Sequence, residues 1–351
     1  MHVDHLIIGQ GICGTFLSWY LQKARRSFII IDEPRPNTAS RVAAGIINPV
    51  TGRRIVKTWM IDELMPFAKH AYEELGSILS MTVIQQKNII DFFPTPQMRI
   101  AFHRRYAENT QYLAIPSQQT KWKDHFNDDF GFGEIDPCLL VNVSDLLPVY
   151  RAYLKDSVRE EVFDMNLLQC DQDLVTYKDI TADTIIFCEG IDSSTNRYFH
   201  LLPFAPNKGE VLWIECKDLP DTHIFKYGIN LVPWAENIFW VGSSYEWEFS
   251  NELPTESFRE RTIASLKRWL KVPFRLLDHK ASVRPATLER RPFVGFHPLF
   301  KNVGIFNGMG TKGCSLSPYL AKGFVEHIVN GVPLQADISI GRFKNILSKN
   351  N

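Results

Sequence analysis

Short apolar runs alternate with amphipathic stretches at the start of the chain, which is the pattern of alternating strands and helices. Apolar strands are predicted over residues 5–8 and 27–31, and a helix with one apolar face lies between them. Continuous apolar strands of this kind are typical of a parallel sheet that is covered on both faces. A further helical stripe over residues 62–79 fits the same layout.

The middle and the end of the chain vary in pattern. Residues 80–140 contain short runs in which apolar and polar residues alternate, and this pattern favours a smaller mixed or antiparallel module. The same strand-like alternation returns over 209–245. Ser144 is predicted to cap a helix over about 145–156. The remaining predicted elements are strands over 183–190 and 303–306, a helix over about 255–270 and a last helix containing Leu316 and Ile328. Two interleaved domains fit this order better than two sequential ones.

Composition argues against several classes of protein. The 351 residues carry 39 Lys+Arg and 39 Asp+Glu, so the formal net charge is zero, which argues against nucleic acid as a partner. The six cysteines form no C-x-x-C pair and no zinc-type spacing, so no metal site is predicted. No signal peptide and no apolar run of about 20 residues is found, which predicts a cytoplasmic protein without a membrane partner.

A glycine cluster directly after the first strand is the first candidate for chemistry. Gly9, Gly11 and Gly14 form a G-x-G-x-x-G motif that opens the first helix, and Asp32 ends the next strand. In this context the glycines allow a tight turn, close approach of a pyrophosphate and close helix–strand packing, while the acid can accept hydrogen bonds from a ribose. The motif alone does not separate NAD from FAD.

Three later segments add weaker signals. A second glycine-rich turn over 307–313 precedes the last helix and either aims a helix start at a flavin or is a plain turn. Small residues over 38–49 allow a flat ligand to approach the backbone, although a tightly packed turn also needs them. Arg284, in an apolar strand-like setting, either pairs with a structural carboxylate or binds a substrate carboxylate as a bidentate fork.

In this order, the four segments resemble the D-amino acid oxidase superfamily of FAD-dependent amine oxidoreductases. The more specific features are Lys208-Gly-Glu, Leu231-Val-Pro, Trp240-Val-Gly and Val283-Arg-Pro, together with the late glycine turn. The resemblance implies an α/β flavoprotein in which a Rossmann-type FAD-binding domain is interleaved with a smaller α+β substrate domain built on a mixed antiparallel sheet. The implied FAD-binding domain covers 1–78, 141–203 and 282–351, and the implied substrate domain covers 79–140 and 204–281.

The resemblance also implies which residues bind FAD. The adenosine half of FAD would lie near the first glycine motif and Asp32, the small-residue loop would face the pyrophosphate and flavin, and the late turn would contact the flavin pyrimidine edge. The implied cofactor-binding residues are Gly9, Gly11, Ile12, Cys13, Gly14, Asp32, Glu33, Ser40, Ala44, Gly45, Gly190, Gly308, Met309, Gly310, Thr311, Lys312 and Gly313.

For the substrate, the resemblance implies a carboxylate held by Arg284 and Lys312. Tyr227 and Tyr245 are nearby substitutes for a tyrosine that often precedes Leu-Val-Pro, where this chain has Asn230. The four residues Arg284, Lys312, Tyr227 and Tyr245 are therefore the candidate catalytic residues. Amine oxidases that react fast with oxygen can carry a lysine at the position of Trp240, which leaves open a dehydrogenase that uses another electron acceptor.

The favoured function is oxidation of the C–N bond of a small amino acid or N-alkyl amino acid, by hydride transfer to flavin N5 and hydrolysis of the imine. Alternatives are an oxidase acting on a carboxymethylaminomethyl group of modified tRNA, a FAD-binding protein without turnover and an NAD-dependent dehydrogenase. The substrate, the electron acceptor, the mode of flavin attachment and the oligomeric state stay open.

Overall fold

The structure is a computed structural model that describes residues 1–349. The described residues form eight α-helices, which are α1 Ile12–Lys23, α2 Ala39–Val42, α3 Ile61–Leu79, α4 Pro96–Glu108, α5 Val143–Leu154, α6 Glu256–Trp269, α7 Gly313–Asn330 and α8 Lys344–Leu347.

The same residues form the strands β1 His2–Ile8, β2 Phe28–Ile31, β3 Ile46–Ile47, β4 Val50–Thr51, β5 Val56–Lys57, β6 Ile84–Gln86, β7 Ile89–Phe92, β8 Leu113–Ala114, β9 Phe132–Ile135, β10 Leu139–Val141, β11 Val158–Arg159, β12 Leu168–Cys170, β13 Val175–Tyr177, β14 Ile180–Phe187, β15 Asn207–Glu215, β16 Ile224–Lys226, β17 Asn230–Ala235, β18 Ile238–Gly242, β19 Arg275–Arg284, β20 Phe293–Phe296 and β21 Val303–Asn307.

The first large sheet has a parallel centre. Its strand order is β11-β2-β1-β14-β13-β12, and β21 pairs with the end of β14 while β20 pairs with β21. Strands β11, β2, β1, β14 and β21 run parallel, and β13, β12 and β20 are antiparallel additions. The sheet therefore collects strands from the beginning, the middle and the end of the chain.

Both faces of this sheet are buried, which explains the continuous apolar strands. Ile7 and Ile30 belong to the core shared with α1, α3, α5 and α7, whereas Leu6 and Ile29 belong to a second core on the opposite face. Successive strand residues point to opposite faces, so a strand that is covered on both sides needs apolar residues at every position. The prediction of a covered parallel sheet is confirmed.

The second large sheet is mostly antiparallel, in the order β19-β15-β18-β17-β16-β7-β9-β8. One face packs against α6 through a core that contains Leu212, Val241 and Trp269. The other face includes Val211 and Trp240. Together the two sheets confirm the predicted fold class of a Rossmann-type domain interleaved with a mixed, mainly antiparallel domain.

Several predicted details differ from the structure. The cap of α5 is Asn142, which accepts a hydrogen bond from the Asp145 backbone, so the prediction of Ser144 as the cap is wrong. The predicted boundaries at 140/141 and 281/282 fall inside β10 and β19, and the division into domains stays a prediction. All six cysteines are unpaired. No helix within residues 1–349 is long and apolar enough to cross a membrane.

Candidate cofactor and substrate site

The turn between β1 and α1 brings three backbone segments into close contact. Gly9 has a φ of +97°, and a Cβ atom there would lie 2.6 Å from the carbonyl oxygen of Cys188. A Cβ atom on Gly14 would lie 2.0 Å from the carbonyl oxygen of Gly9. Both positions therefore require glycine, because any side chain would push α1 away from the strand ends.

Ser40 joins the small-residue loop to the start of α1. Its hydroxyl accepts a hydrogen bond of 3.1 Å from the backbone N–H of Ile12, and a Cβ atom on Gly11 would lie 3.0 Å from the same oxygen. Gly11 is the N-cap residue and offers no side-chain oxygen to the other N–H groups of the first turn. The positive end of α1 can therefore face an anionic ligand such as a phosphate.

A cavity of about 980 Å³ connects most of the predicted site residues. It is lined by residues of both large sheets and both glycine turns. The predicted residues among its lining are Gly9, Gly11, Ile12, Cys13, Asp32, Glu33, Ser40, Ala44, Gly45, Gly190, Arg284, Met309, Gly310, Thr311, Lys312 and Gly313. Gly14 and Gly308 lie outside the lining, and Gly308 instead packs against Thr287 and Phe293.

Asp32, at the end of β2, has two protein partners. One carboxylate oxygen accepts a 2.7 Å hydrogen bond from the Gln10 backbone N–H, and the other accepts 2.7 Å from the guanidinium of Arg151. The neighbouring Glu33 pairs with Arg35, which also pairs with Asp192. This end of the cavity is therefore lined by acidic groups whose charges are offset by arginines.

Arg284 ends β19 and lies across the backbone of β15. Its guanidinium donates hydrogen bonds to the Asn207 side-chain oxygen at 2.5 Å, the Ser243 hydroxyl at 2.7 Å and the Ser244 carbonyl at 3.3 Å. Burial lowers the pKa of Arg284, but an arginine stays charged at any ordinary pH. No carboxylate among residues 1–349 forms an ion pair with it, so the reading of Arg284 as a structural ion-pair partner is wrong.

Lys312 is the N-cap residue of α7 and lies in the wall of the same cavity. Burial lowers the pKa of its ammonium to about 8, and the nearby Cys138 acts in the opposite direction. Within residues 1–349 no hydrogen bond or ion pair involves the Lys312 side-chain nitrogen. Arg284 and Lys312 are therefore positive groups of the cavity wall that have no acidic partner within residues 1–349.

The two candidate tyrosines lie in different places. Tyr227 stacks on Trp269 with ring centroids 5.4 Å apart, in the core beneath α6 and outside the cavity lining. The structure therefore does not bring Tyr227 together with Arg284 and Lys312, because its ring packs on the opposite face of the second sheet. Tyr245 is 54% exposed, and its ring centroid lies 5.4 Å from the guanidinium carbon of Arg284.

Trp240 and Asn230 line the cavity from the second sheet. The Trp240 indole N–H donates to the carbonyl oxygen of Val42 at 2.9 Å, which fixes the ring against the small-residue loop. Asn230 donates to the Gly242 carbonyl at 3.4 Å. An indole therefore occupies the wall where the resemblance to fast amine oxidases would place a lysine.

Sequence reasoning missed three residues of this site. Gln10 and Arg151 contact Asp32, and Glu189 lies in the cavity wall beside Gly190. Burial raises the pKa of Glu189 to about 7, although hydrogen bonds from Asn196 and Ser193 act in the opposite direction. Gln10 lies inside the glycine motif and could have been noticed. Arg151 carries no local signal, because it is far from Asp32 along the chain.

The fold and the cavity together define an α/β protein that binds a dinucleotide cofactor. The model of the DAO family, described as FAD dependent oxidoreductase, matches residues 4–327. The chain therefore belongs to the DAO family of FAD-dependent oxidoreductases. The cradle at Gly9 and Gly11, the start of α1 with its glycine N-cap and the long cavity fit FAD.

Solved structures with the same fold cover nearly the whole chain. Glycine oxidase from Geobacillus kaustophilus is 18% identical, with 97% of this chain and 98% of that chain covered and a TM-score of 0.77. Iminodiacetate oxidase from Chelativorans sp. BNC1 is 18% identical, with 97% and 98% covered and a TM-score of 0.74. L-proline dehydrogenase from P. horikoshii is 12% identical, with 98% and 98% covered and a TM-score of 0.75. At these identities the likeness shows the fold.

Proposed function

We propose that this FAD-dependent enzyme oxidises the C–N bond of a small amino acid or N-alkyl amino acid, and that water then hydrolyses the imine. The observation that carries the proposal is the environment of Arg284. This guanidinium lines the cavity, is held by three neutral oxygen atoms and has no acidic partner within residues 1–349. A substrate carboxylate would supply the missing negative charge.

The geometry around Arg284 supports a carboxylate as its ligand. Asn207 holds Nη1 and Ser243 and Ser244 hold Nη2, while Gly209 provides no side chain that could compete for the space of the guanidinium. A guanidinium has five N–H donors in a planar fork that matches a carboxylate. Because three of its hydrogen bonds are to the protein, the remaining donors are left for a bound carboxylate.

When bound, FAD supplies the hydride acceptor for this chemistry. Arg284 orients the substrate through its carboxylate, and orientation alone lowers the barrier because the reacting atoms are held in place. Lys312 contributes positive charge in a buried wall, where electrostatic stabilisation is stronger than in water. The substrate amine has to be neutral to form the C=N bond, so turnover is expected to rise with pH.

Trp240 is relevant to which electron acceptor reoxidises the reduced enzyme. Its indole is buried in the cavity wall, so this position offers no positive charge to a developing oxygen anion. We therefore propose that the reduced enzyme reacts slowly with oxygen and passes electrons to another acceptor.

An anaerobic screen of amino acids and N-methyl amines for bleaching of the flavin band identifies the substrate. Admission of oxygen then gives the reoxidation rate, and rapid reoxidation would contradict this proposal.

We propose a free small molecule, and not tRNA, as the substrate because the chain has 39 basic and 39 acidic residues. A protein that binds nucleic acid through its phosphates normally needs an excess of positive charge. A gel-shift assay with tRNA at low and high salt tests this point. Tight, salt-sensitive binding would instead favour a substrate group carried by tRNA.

Arg284→Ala tests the proposed role of the arginine. KM for carboxylated amines is expected to rise by about tenfold to a hundredfold, the range for losing hydrogen bonds to a charged group. KM for matching amines without a carboxylate is expected to change little. Arg275→Ala, at the exposed opposite end of β19, is the control and should leave both values unchanged. An unchanged ratio of the two KM values in Arg284→Ala would remove Arg284 from this role.

A further inference from the structure

Arg151 contacts three groups at the end of the cavity nearest Asp32. From α5, its guanidinium donates to the Asp32 carboxylate at 2.7 Å, the Asp32 carbonyl at 3.1 Å and the Gln10 side-chain oxygen at 2.8 Å. It also donates to Glu160 at 2.7 Å. The side chains of Arg151 and Asp32 are only 12% and 14% exposed, whereas Glu160 is 62% exposed. The Arg151–Asp32 pair is therefore the buried part of this network.

The hydrogen bonds leave Asp32 with free acceptor capacity. An ionised carboxylate offers about four lone-pair sites on its two oxygens. The Gln10 backbone N–H uses one site and Arg151 uses another, one on each oxygen. The two donors hold the carboxylate plane in one orientation, and a lone pair on each oxygen remains for a ligand with two neighbouring hydroxyl groups.

Electrostatics gives a physical reason for an arginine beside Asp32. Asp32 lies beside the glycine turn, where the two negative charges of a dinucleotide diphosphate are expected. An Asp32 carboxylate without a counter-ion would repel that diphosphate through a poorly hydrated cavity wall. Arg151 offsets the charge of Asp32 while leaving its oxygens able to accept hydrogen bonds.

We propose that Arg151 is a positioning residue for the cofactor, which acts by holding and neutralising Asp32 so that this carboxylate binds the adenosine ribose of FAD. This inference concerns FAD binding alone. Its test involves no turnover, so its failure and the failure of the proposed amine oxidation are distinguishable.

The test compares FAD with an analogue that lacks the 2′ and 3′ hydroxyls of the adenosine ribose. Both ligands are titrated into cofactor-free wild-type protein and into Arg151→Met. Wild type is expected to prefer FAD to the analogue by about tenfold or more, because each lost hydrogen bond to a charged group weakens binding. Arg151→Met is expected to bind FAD about 10- to 100-fold more weakly and to lose most of the preference for FAD.

Two further variants separate positioning from a structural role. Glu160→Gln removes only the exposed partner of Arg151 and should keep the wild-type preference. Arg151→Lys keeps the charge but loses the planar fork, so its preference should lie between those of wild type and Arg151→Met. Arg151→Lys also provides the test if the Arg151→Met protein does not fold. Equal weakening of FAD and the analogue, or a wild type without preference, would overturn the proposal.

Discussion

Arg284 crosses the backbone of its neighbouring strand at Gly209. A Cβ atom on Gly209 would lie 1.9 Å from a terminal nitrogen of the Arg284 guanidinium. A non-bonded contact this short cannot form, and the nitrogen is held by Ser243 and Ser244. The position of the proposed carboxylate-binding group therefore depends on the absence of a side chain on the adjacent strand.

Gly209→Ala is expected to displace the Arg284 guanidinium and to raise KM for carboxylated amines by about tenfold, the loss associated with one hydrogen bond to a charged group. FAD binding should persist, because the glycine turn after β1 is untouched. Steady-state kinetics with flavin absorbance as a loading check measures both effects. Gly323→Ala in α7 is the control, since a Cβ atom there meets no atom within 4 Å. An unchanged KM in Gly209→Ala would contradict this account.

Single residues of the site were predictable where they belong to a local sequence motif. Gly9 and Gly11 were recognisable because they lie between a strand and a helix, and the structure places them in the cavity lining. Tyr227 was misplaced because sequence proximity to the Leu-Val-Pro segment does not reveal that its ring packs on Trp269. Arg151 could not be found, since only the folded chain brings α5 to the end of β2. The functional roles of the lining residues stay predictions.

The positions of helices and strands were predicted better than the residues at which they begin and end. Strand β1, helix α3 and helix α6 lie where the periodicity placed them, because apolar spacing is a local property of the sequence. The order in which the strands pair could not be predicted. Strand β1 pairs with β14, whose residues follow about 180 positions later in the chain, and the length of the connection does not specify such a partner. Helix caps are short-range features, but neighbouring Asn and Ser residues compete for them.

Asn142 and Ser144 compete in this way at the start of α5. The Asn142 side chain accepts from the Asp145 backbone N–H at 3.2 Å, while the Ser144 hydroxyl donates to Asn142 at 2.9 Å. Asn142→Ala is expected to lower the free energy of unfolding by about 1 kcal/mol, the usual loss of a helix cap. Ser144→Ala should cost less. Urea unfolding of cofactor-free protein measures both changes, and a larger loss in Ser144→Ala would restore serine as the cap.

The whole molecule balances its charge, but two positive groups in the cavity wall are not balanced by a nearby acid. The chain carries 39 basic and 39 acidic residues, yet Arg284 and Lys312 lie in the cavity without acidic partners among residues 1–349. The interleaving of the two sheets was predictable, because cofactor-type segments occur in widely separated parts of the sequence. That these two groups have no acidic partner among the described residues was not predictable from a net charge of zero.

The buried ammonium of Lys312 should destabilise the cofactor-free protein. Its folded pKa is about 8, below the ordinary 10.5, so the unfolded chain binds more protons between these values and stability rises with pH there. The destabilisation is fully present below about pH 8 and is lost as the pH approaches 10.5. Lys312→Met is therefore expected to stabilise the protein more at pH 7 than at pH 10.

Urea unfolding at pH 7 and pH 10 measures the difference between Lys312→Met and wild type. Lys301→Met, which replaces an exposed lysine, is the control and should show nearly the same difference at both pH values. An equal difference at the two pH values for Lys312→Met would show that the ammonium is well solvated in the folded protein.

The distance along the chain between the two glycine turns has a consequence for biosynthesis. Helix α1 packs against α7, and the second turn begins only after β21. The two turns are about 300 residues apart, so a ribosome adding about 5–20 residues per second needs roughly 15 to 60 seconds between them. During this interval the first glycine turn lacks the second turn, and α1 lacks one of its helical neighbours, α7. We therefore expect FAD to complete its contacts only with a nearly finished polypeptide, and the part of α1 that packs against α7 to stay uncovered until then.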